Sequence, residues 1–126
     1  MRRTQSLACA LLLGLAVIRT APVHAQETAA GEKVFKANCS VCHSVKPGKN
    51  IVGPSLYQVV GRHSGQVPNF YYSDANRKSG LTWDVATLDR YLTSPGTVVP
   101  GTLMTFPGLK DPKQRADVFA YLSGLR

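Results

Sequence analysis

Two thiols and an imidazole meet in the pentapeptide Cys39-Ser40-Val41-Cys42-His43, and nothing else in the 126-residue chain narrows its possible folds so far. A redox-active Cys-x-x-Cys belongs beside a strand-to-helix pattern of thioredoxin type, which the flanking sequence lacks. A structural zinc site needs four ligands, usually from two such pairs, and from residue 26 onward the chain offers only two cysteines and two histidines. The spacing suits covalent attachment of a c-type haem. One helical turn sets both thiols against one edge of a flat macrocycle, and the next residue brings an imidazole to its metal.

The N-terminus supplies the setting. Met1-Arg2-Arg3 is a positive start, Leu7 to Ile18 is apolar, and Val23-His24-Ala25 is a small-residue cleavage site before Gln26. This order reads as a secretory signal peptide over residues 1–25, leaving a domain of residues 26–126. Twelve apolar residues rise only about 18 Å as a helix, against about 30 Å of hydrocarbon core, so retention as an anchor is the weaker alternative. The Thr4-Gln5-Ser6 that follows Arg2-Arg3 gives little support to a twin-arginine signal. Cys9 lies at the wrong end of the apolar run for lipid attachment and leaves with the signal. The expected destination is the bacterial periplasm, an oxidising place where a thiol pair is put to use. The signal takes three of the 15 basic residues and none of the seven acidic ones, so the rest carries a net charge of +5. That charge is spread without a Lys/Arg block, which argues against nucleic-acid binding. It suits docking of acidic partners or solubility alone.

Three helices are expected. The first runs from about Thr28 to the cysteines, with Gly31, Phe35, Cys39 and Cys42 on one face. The second starts at Thr82 as N-cap and runs to about Thr93, with Leu81, Val85, Leu88 and Leu92 as its stripe and Ser94-Pro95-Gly96 as its stop. The third is capped by Asp111, has Pro112 in its first position and Gln114 to complete a capping box, and buries Val118, Tyr121, Leu122 and Leu125. About forty residues rich in Gly, Pro, Asn and Ser lie between the first two, with a helical turn near Asp74–Lys78 and no strand pattern. A loop this long and a core this small call for something besides side chains in the interior. Met104, in Pro100-Gly101-Thr102-Leu103-Met104, is the only methionine beyond the signal and the candidate second metal ligand. His63, in a polar turn, is its competitor.

Taken in order, these residues resemble class I cytochrome c, in the branch of mitochondrial cytochrome c and bacterial cytochrome c2. The resemblance spans the whole domain. It is carried by Gly31-x-x-x-Phe35-x-x-x-Cys39-x-x-Cys42-His43, Gly53-Pro54-x-Leu56, Gly61-Arg62-x-x-Gly65-Gln66, Tyr72-x-Asp74-Ala75-Asn76, Gly80-Leu81-Thr82-Trp83, Tyr91-Leu92, Pro100-Gly101-Thr102-x-Met104-x-Phe106 and Arg115-x-Asp117-x-x-Ala120-Tyr121-Leu122. It implies an all-α fold of three main helices and long loops around one haem c joined through Cys39 and Cys42. His43 and Met104 would be its axial ligands, a pair that favours a high reduction potential. Pro54 would accept a hydrogen bond from His43, and Tyr91 would sit near the Met104 sulfur. Arg62, Tyr72 and Trp83 would hold a buried propionate, with Asn76 and Thr102 completing the polar network and Phe106 beside the haem. From the residues alone, Tyr72 and Trp83 suit core aromatics as well. Gly31 and Phe35 would pack on the last helix near Val118 and Tyr121.

The implied function is one-electron transport by a monomer, not catalysis. The donor would be a bc1-type complex and the acceptor an oxidase, a photosynthetic reaction centre or a reductase, met by peripheral contact with the membrane. A subunit of a larger redox complex, and a haem sensor or peroxidase with an open sixth position, are the alternatives; a haem-free thiol or zinc protein is a further one. Family members carry lysines around the exposed haem edge; the matching positions here are Asn38, Gly96, Thr97 and Leu103. A less cationic partner surface, with weaker salt dependence of association, is expected.

Overall fold

The computed structural model describes residues 23–126, so the expected signal, apart from its last three residues, lies outside the described part. Five helices follow in order: α1 (Val23–Asn38), α2 (Asp74–Lys78), α3 (Val85–Thr93), α4 (Pro95–Val98) and α5 (Pro112–Ser123). Among the described residues there is no strand, only an isolated antiparallel bridge between His63 and Thr82. The three long helices are the three expected, and α2 is the expected turn.

Helix α1 lies against α5, and α5 in turn against α3. The α1–α5 approach is close because Gly31 has no side chain. A Cβ there would overlap the Asp117 carbonyl and stand 2.7 Å from Tyr121 Cβ. One turn on, the Phe35 and Tyr121 rings are 5.6 Å apart and tilted, within the range at which aromatic pairs attract. Val118, the most buried large residue of α5, and Leu122 complete this seam. Asp117 is buried with them and takes both its hydrogen bonds, at 2.8 Å each, from Lys113 one turn earlier.

The helix ends correct several expectations. Helix α1 begins no later than Val23, so Thr28 is interior and its hydroxyl bonds back to the His24 carbonyl at 2.9 Å. Asp84, not Thr82, caps α3, accepting from Thr87 N at 2.8 Å. Thr82 is unavailable because residues 81–83 are extended and paired: Trp83 N donates to Arg62 O, Gly61 N to Trp83 O and Ser64 N to Leu81 O. The buried face of α3 is Thr87, Leu88, Tyr91 and Leu92, while Val85 is 58% exposed. The face is turned toward Trp83, whose ring lies 4.8 Å from that of Tyr91. After Thr93 the chain does not simply stop but re-enters the short helix α4, with Pro95 in its first turn. Asp111 caps α5 through Lys113 N rather than through a box with Gln114.

The long segment between α1 and α2 is held by side chains that satisfy its backbone. Asn50 accepts from Ser55 N and donates to the carbonyls of Pro68 and Asn69. Ser55 donates to Lys46 O, and Arg62 spans Tyr57 O and Ser55 O at 3.0 Å each. Phe35, Val59, Trp83, Leu88, Leu92, Val118 and Leu122 belong to one buried cluster. Several of them also line a large cavity between helices and loops.

Replacing Gly31 by Ala is expected to force α1 from α5, at the roughly 1–3 kcal/mol typical of overpacking. For a domain of this size that lowers Tm by about 4–8 °C per kcal/mol, read by thermal unfolding. An unchanged Tm would mean the two helices can part without loss.

Candidate functional site

The cavity measures about 290 Å³, and Cys39, Cys42, His43, Pro54 and Met104 all line it. It begins where α1 ends. Beyond Asn38 the backbone continues through tight turns, with Cys39 N and Ser40 N both on Phe35 O, and Cys42 N and His43 N both on Cys39 O. This winds the two thiols and the imidazole onto one rim. Both cysteines are free. Cys42 is exposed, while burial, aided by the neighbouring Cys42, pushes the Cys39 thiol up to about 11.

The His43 ring has one nitrogen engaged and the other left free. Its Nδ1 is 2.8 Å from the Pro54 carbonyl. A carbonyl only accepts, so Nδ1 carries the proton and Nε2 keeps its lone pair. Burial pulls the imidazole below its ordinary pKa, against the opposing pull of the Pro54 bond, and so favours this neutral form. Gly53 holds the flank of the ring: a Cβ there would stand 2.7 Å from Nδ1 and 2.9 Å from Nε2. Gly53 N in turn donates to Cys42 O at 2.7 Å, tying this backbone to the cysteine turn.

A polar chain surrounds the thioether. Tyr91 donates its hydroxyl toward Met104 Sδ at 3.5 Å and lies 3.4 Å from the Thr102 hydroxyl. Thr102 donates to Asn76 Oδ1 at 3.0 Å and accepts from Met104 N at 3.2 Å. Ser73 donates to the same Asn76 oxygen at 2.7 Å and caps α2 by accepting from Asn76 N. The segment after Met104 is fastened to the end of α3. Leu109 N donates to Leu92 O, Lys110 Nζ to the carbonyls of Thr93 and Pro107, and Arg115 to the carbonyls of Leu109 and Lys110. Gly108, at φ 97, lets the chain pass close to the Thr93 and Leu92 carbonyls.

All twelve expected site residues line the same cavity. His63 does not; it is exposed and sits 3.0 Å from the Thr82 hydroxyl. Arg62 spends one terminal nitrogen on each of two carbonyls, which leaves other N–H donors of its five uncommitted. Burial lowers its pKa, though not enough to discharge a guanidinium. Tyr72 accepts from Val67 N at 3.3 Å, and burial raises its pKa, so it stays protonated. The supporting roles of Gly53, Ser55 and Ser73 escape sequence reading. Gly53 stood inside a recognised motif, but only the ring beside it explains the glycine.

This lining suits a haem: an apolar cleft, two thiols on its rim, one neutral imidazole with a free lone pair, one thioether, and uncommitted guanidinium N–H groups for a carboxylate. A buried propionate needs such donors, because an unpaired charge there costs several kcal/mol.

Comparison with known proteins gives the same answer independently. The family model described as Cytochrome c matches residues 28–126. The chain is 51% identical over 114 residues to cytochrome c2 of Rhodomicrobium vannielii, covering 89% of this chain and 90% of that protein. It is 56% identical to cytochrome c2 of Rhodoblastus acidophilus over 95 residues, 75% of this chain and 88% of the other. Cytochrome c of the plant Nigella damascena is 46% identical over 99 residues, 78% of this chain and 89% of that one. Among solved structures, cytochrome cH from Methylobacterium extorquens superposes with a TM-score of 0.72 at 49% identity, covering 76% of this chain and 96% of that one.

Gly53→Ala is expected to push the His43 ring off its Pro54 bond. Disturbing a ligand's support commonly weakens metal binding by about 10–100-fold. The check is the fraction of purified protein carrying haem and its visible spectrum; a wild-type spectrum at full loading would show that the ring has room to move.

Proposed function

The chain belongs to the cytochrome c family, on the branch shared by mitochondrial cytochrome c and bacterial cytochrome c2, and on that premise we propose how it works and where. It is a mono-haem electron carrier with one covalent haem c. When bound, the haem supplies an iron that alternates between ferric and ferrous states. The protein's share is to fix and tune that iron.

In this reading Cys39 and Cys42 would hold the haem through two thioethers, and His43 and Met104 would be the ligands of its iron. The observation that carries it is the matched preparation of these two ligands: the Pro54 bond that leaves His43 Nε2 bare, and the Tyr91 hydroxyl on the Met104 sulfur. Arg62, Tyr72 and Trp83 receive a propionate, Asn76 and Thr102 brace the sulfur side, and Phe106 closes the cleft. With His43 and Met104 both holding the iron, no open position would remain for a substrate, which supports electron transport rather than catalysis. The family's His/Met pairing favours a high potential, suited to receiving electrons from a bc1-type complex. An oxidase, a reaction centre or a reductase would take them. Residues 1–25 act as an export signal, and the mature domain of residues 26–126 works in the periplasm as a monomer. No helix of the described residues is long and apolar enough to cross a membrane.

Met104→Ala should leave the haem attached, open the iron to carbon monoxide in the reduced state, and lower the potential. The expected fall exceeds the about 59 mV that marks a tenfold change in a one-electron equilibrium. Potentiometry and carbon monoxide difference spectra read both effects. A native potential in this variant, or rapid carbon monoxide binding by the unaltered protein at neutral pH, would contradict the ligand assignment.

A further inference from the structure

The chain that leaves Met104 is loosely tied. Met104 N donates to the Thr102 hydroxyl, and the next backbone amide with a partner among the described residues is that of Leu109, on Leu92 O at 2.7 Å. Between them, Thr105 and Pro107 are exposed, and Pro107 has no N–H to give. Phe106 reaches into the cleft, but its backbone is held by no hydrogen bond. On this side, the placement of the thioether depends on whatever fixes residues 109 and 110.

That anchor converges on Arg115 of α5. One terminal nitrogen, Nη1, donates to Leu109 O at 2.9 Å and to Lys110 O at 3.0 Å, while Nε donates to Asp89 Oδ1 at 2.7 Å. Asp89 belongs to the last two turns of α3. Its own carbonyl accepts from the Thr93 hydroxyl, and the Thr93 carbonyl accepts from Lys110 Nζ. The end of α3, residues 107–110 and the start of α5 thus share one junction, although neither Asp89 nor Arg115 lines the cavity. Exposed ion pairs contribute little, but this one is lopsided: the Arg115 side chain is 12% exposed and that of Asp89 53%. A guanidinium cannot discharge itself, so one mostly out of water needs a counter-charge. Asp89 is its only carboxylate partner among the described residues. Without that carboxylate, Arg115 gains by turning toward water, and the two loop carbonyls lose their donor.

We infer that Asp89 is a positioning residue for the Met104 ligand: acting through Arg115, it holds residues 109 and 110 in place and so sets how readily the thioether leaves the iron. This rests on the reading above, in which Met104 is that ligand, and adds what controls its release. Departure of the sulfur is a local opening of residues 104–110, with the α1–α5 seam and the His43–Pro54 bond left intact.

The test uses the haem-bearing ferric protein and its Asp89→Asn, Asp89→Glu and Glu32→Gln variants. The last is a control that removes the same charge from the exposed Glu32–Lys36 pair of α1. Imidazole is the probe, added until its binding rate no longer rises with concentration and reports departure of the thioether. Asp89→Asn is expected to speed that step about fivefold, equivalent to about 1 kcal/mol. Its ferric sulfur–iron absorption band should also vanish at lower denaturant than its helical circular dichroism. Asp89→Glu, which keeps the carboxylate, should bring the rate back to within about twofold of the unaltered protein. Glu32→Gln should leave it unchanged. An unaltered rate in Asp89→Asn, an equal acceleration in Glu32→Gln, or no recovery in Asp89→Glu would overturn the proposal. So would loss of the band and of helix together in Asp89→Asn, since the pair would then serve the stability of the whole domain. The ligand reading is checked separately by the unaltered protein. If its ferric form lacks the sulfur–iron band, the Met104 assignment falls; if the band is present and Asp89→Asn exchanges at the unaltered rate, only the positioning role is wrong.

Discussion

One carbonyl oxygen decides what His43 can do. By accepting a hydrogen bond from Nδ1–H, with nitrogen and oxygen 2.8 Å apart, Pro54 fixes both the tautomer and the angle of the ring. Around that bond, several otherwise unrelated features fall into place. Gly53 must be bare because the ring lies against it, and its N–H, donating to Cys42 O, joins the Pro54 turn to the cysteine turn. Burial adds to the effect by disfavouring the protonated imidazole, whose nitrogens could not bind metal.

The sulfur side is built on another plan. Met104 lies on irregular chain, and its surroundings are set by short polar bridges from three different elements: Tyr91 of α3, Asn76 of α2, and Thr102 of its own loop. Each hydroxyl or amide satisfies its neighbour, so the cluster is rigid without being charged. The far end of the same loop is tied to the α3 C-terminus by Leu109 and Lys110, and to α5 by Arg115. The thioether is thus held from both directions along the chain.

Much of this was legible in the residues. The pentapeptide, the lone late methionine and the shortage of core pointed to a covalently held haem, and the ordered motifs to the family and its all-α fold. The cap and first-turn proline of α5 were written plainly in Asp111-Pro112. What stayed hidden had non-local causes. Thr82 and Asp84 are both good caps, and only the pairing of residues 81–83 with 61–64 chooses between them. Val85 fits the helical period of α3, yet the position of Trp83 turns the buried face toward Tyr91 instead. Helix α4 is four residues long, too short for periodicity to register. Ser55 and Ser73 act on groups brought near them by folding, and no spacing rule marks a serine for that task.

The close crossing at Gly31 joins the first helix of the domain to the last. A chain emerging from its N-terminus therefore carries α1 for a long interval with nothing to dock against. Until α5 has been delivered the interior has no lid. The seam between α1 and α5 therefore closes only once the C-terminal helix is in place, while Cys42 stays exposed in the completed fold.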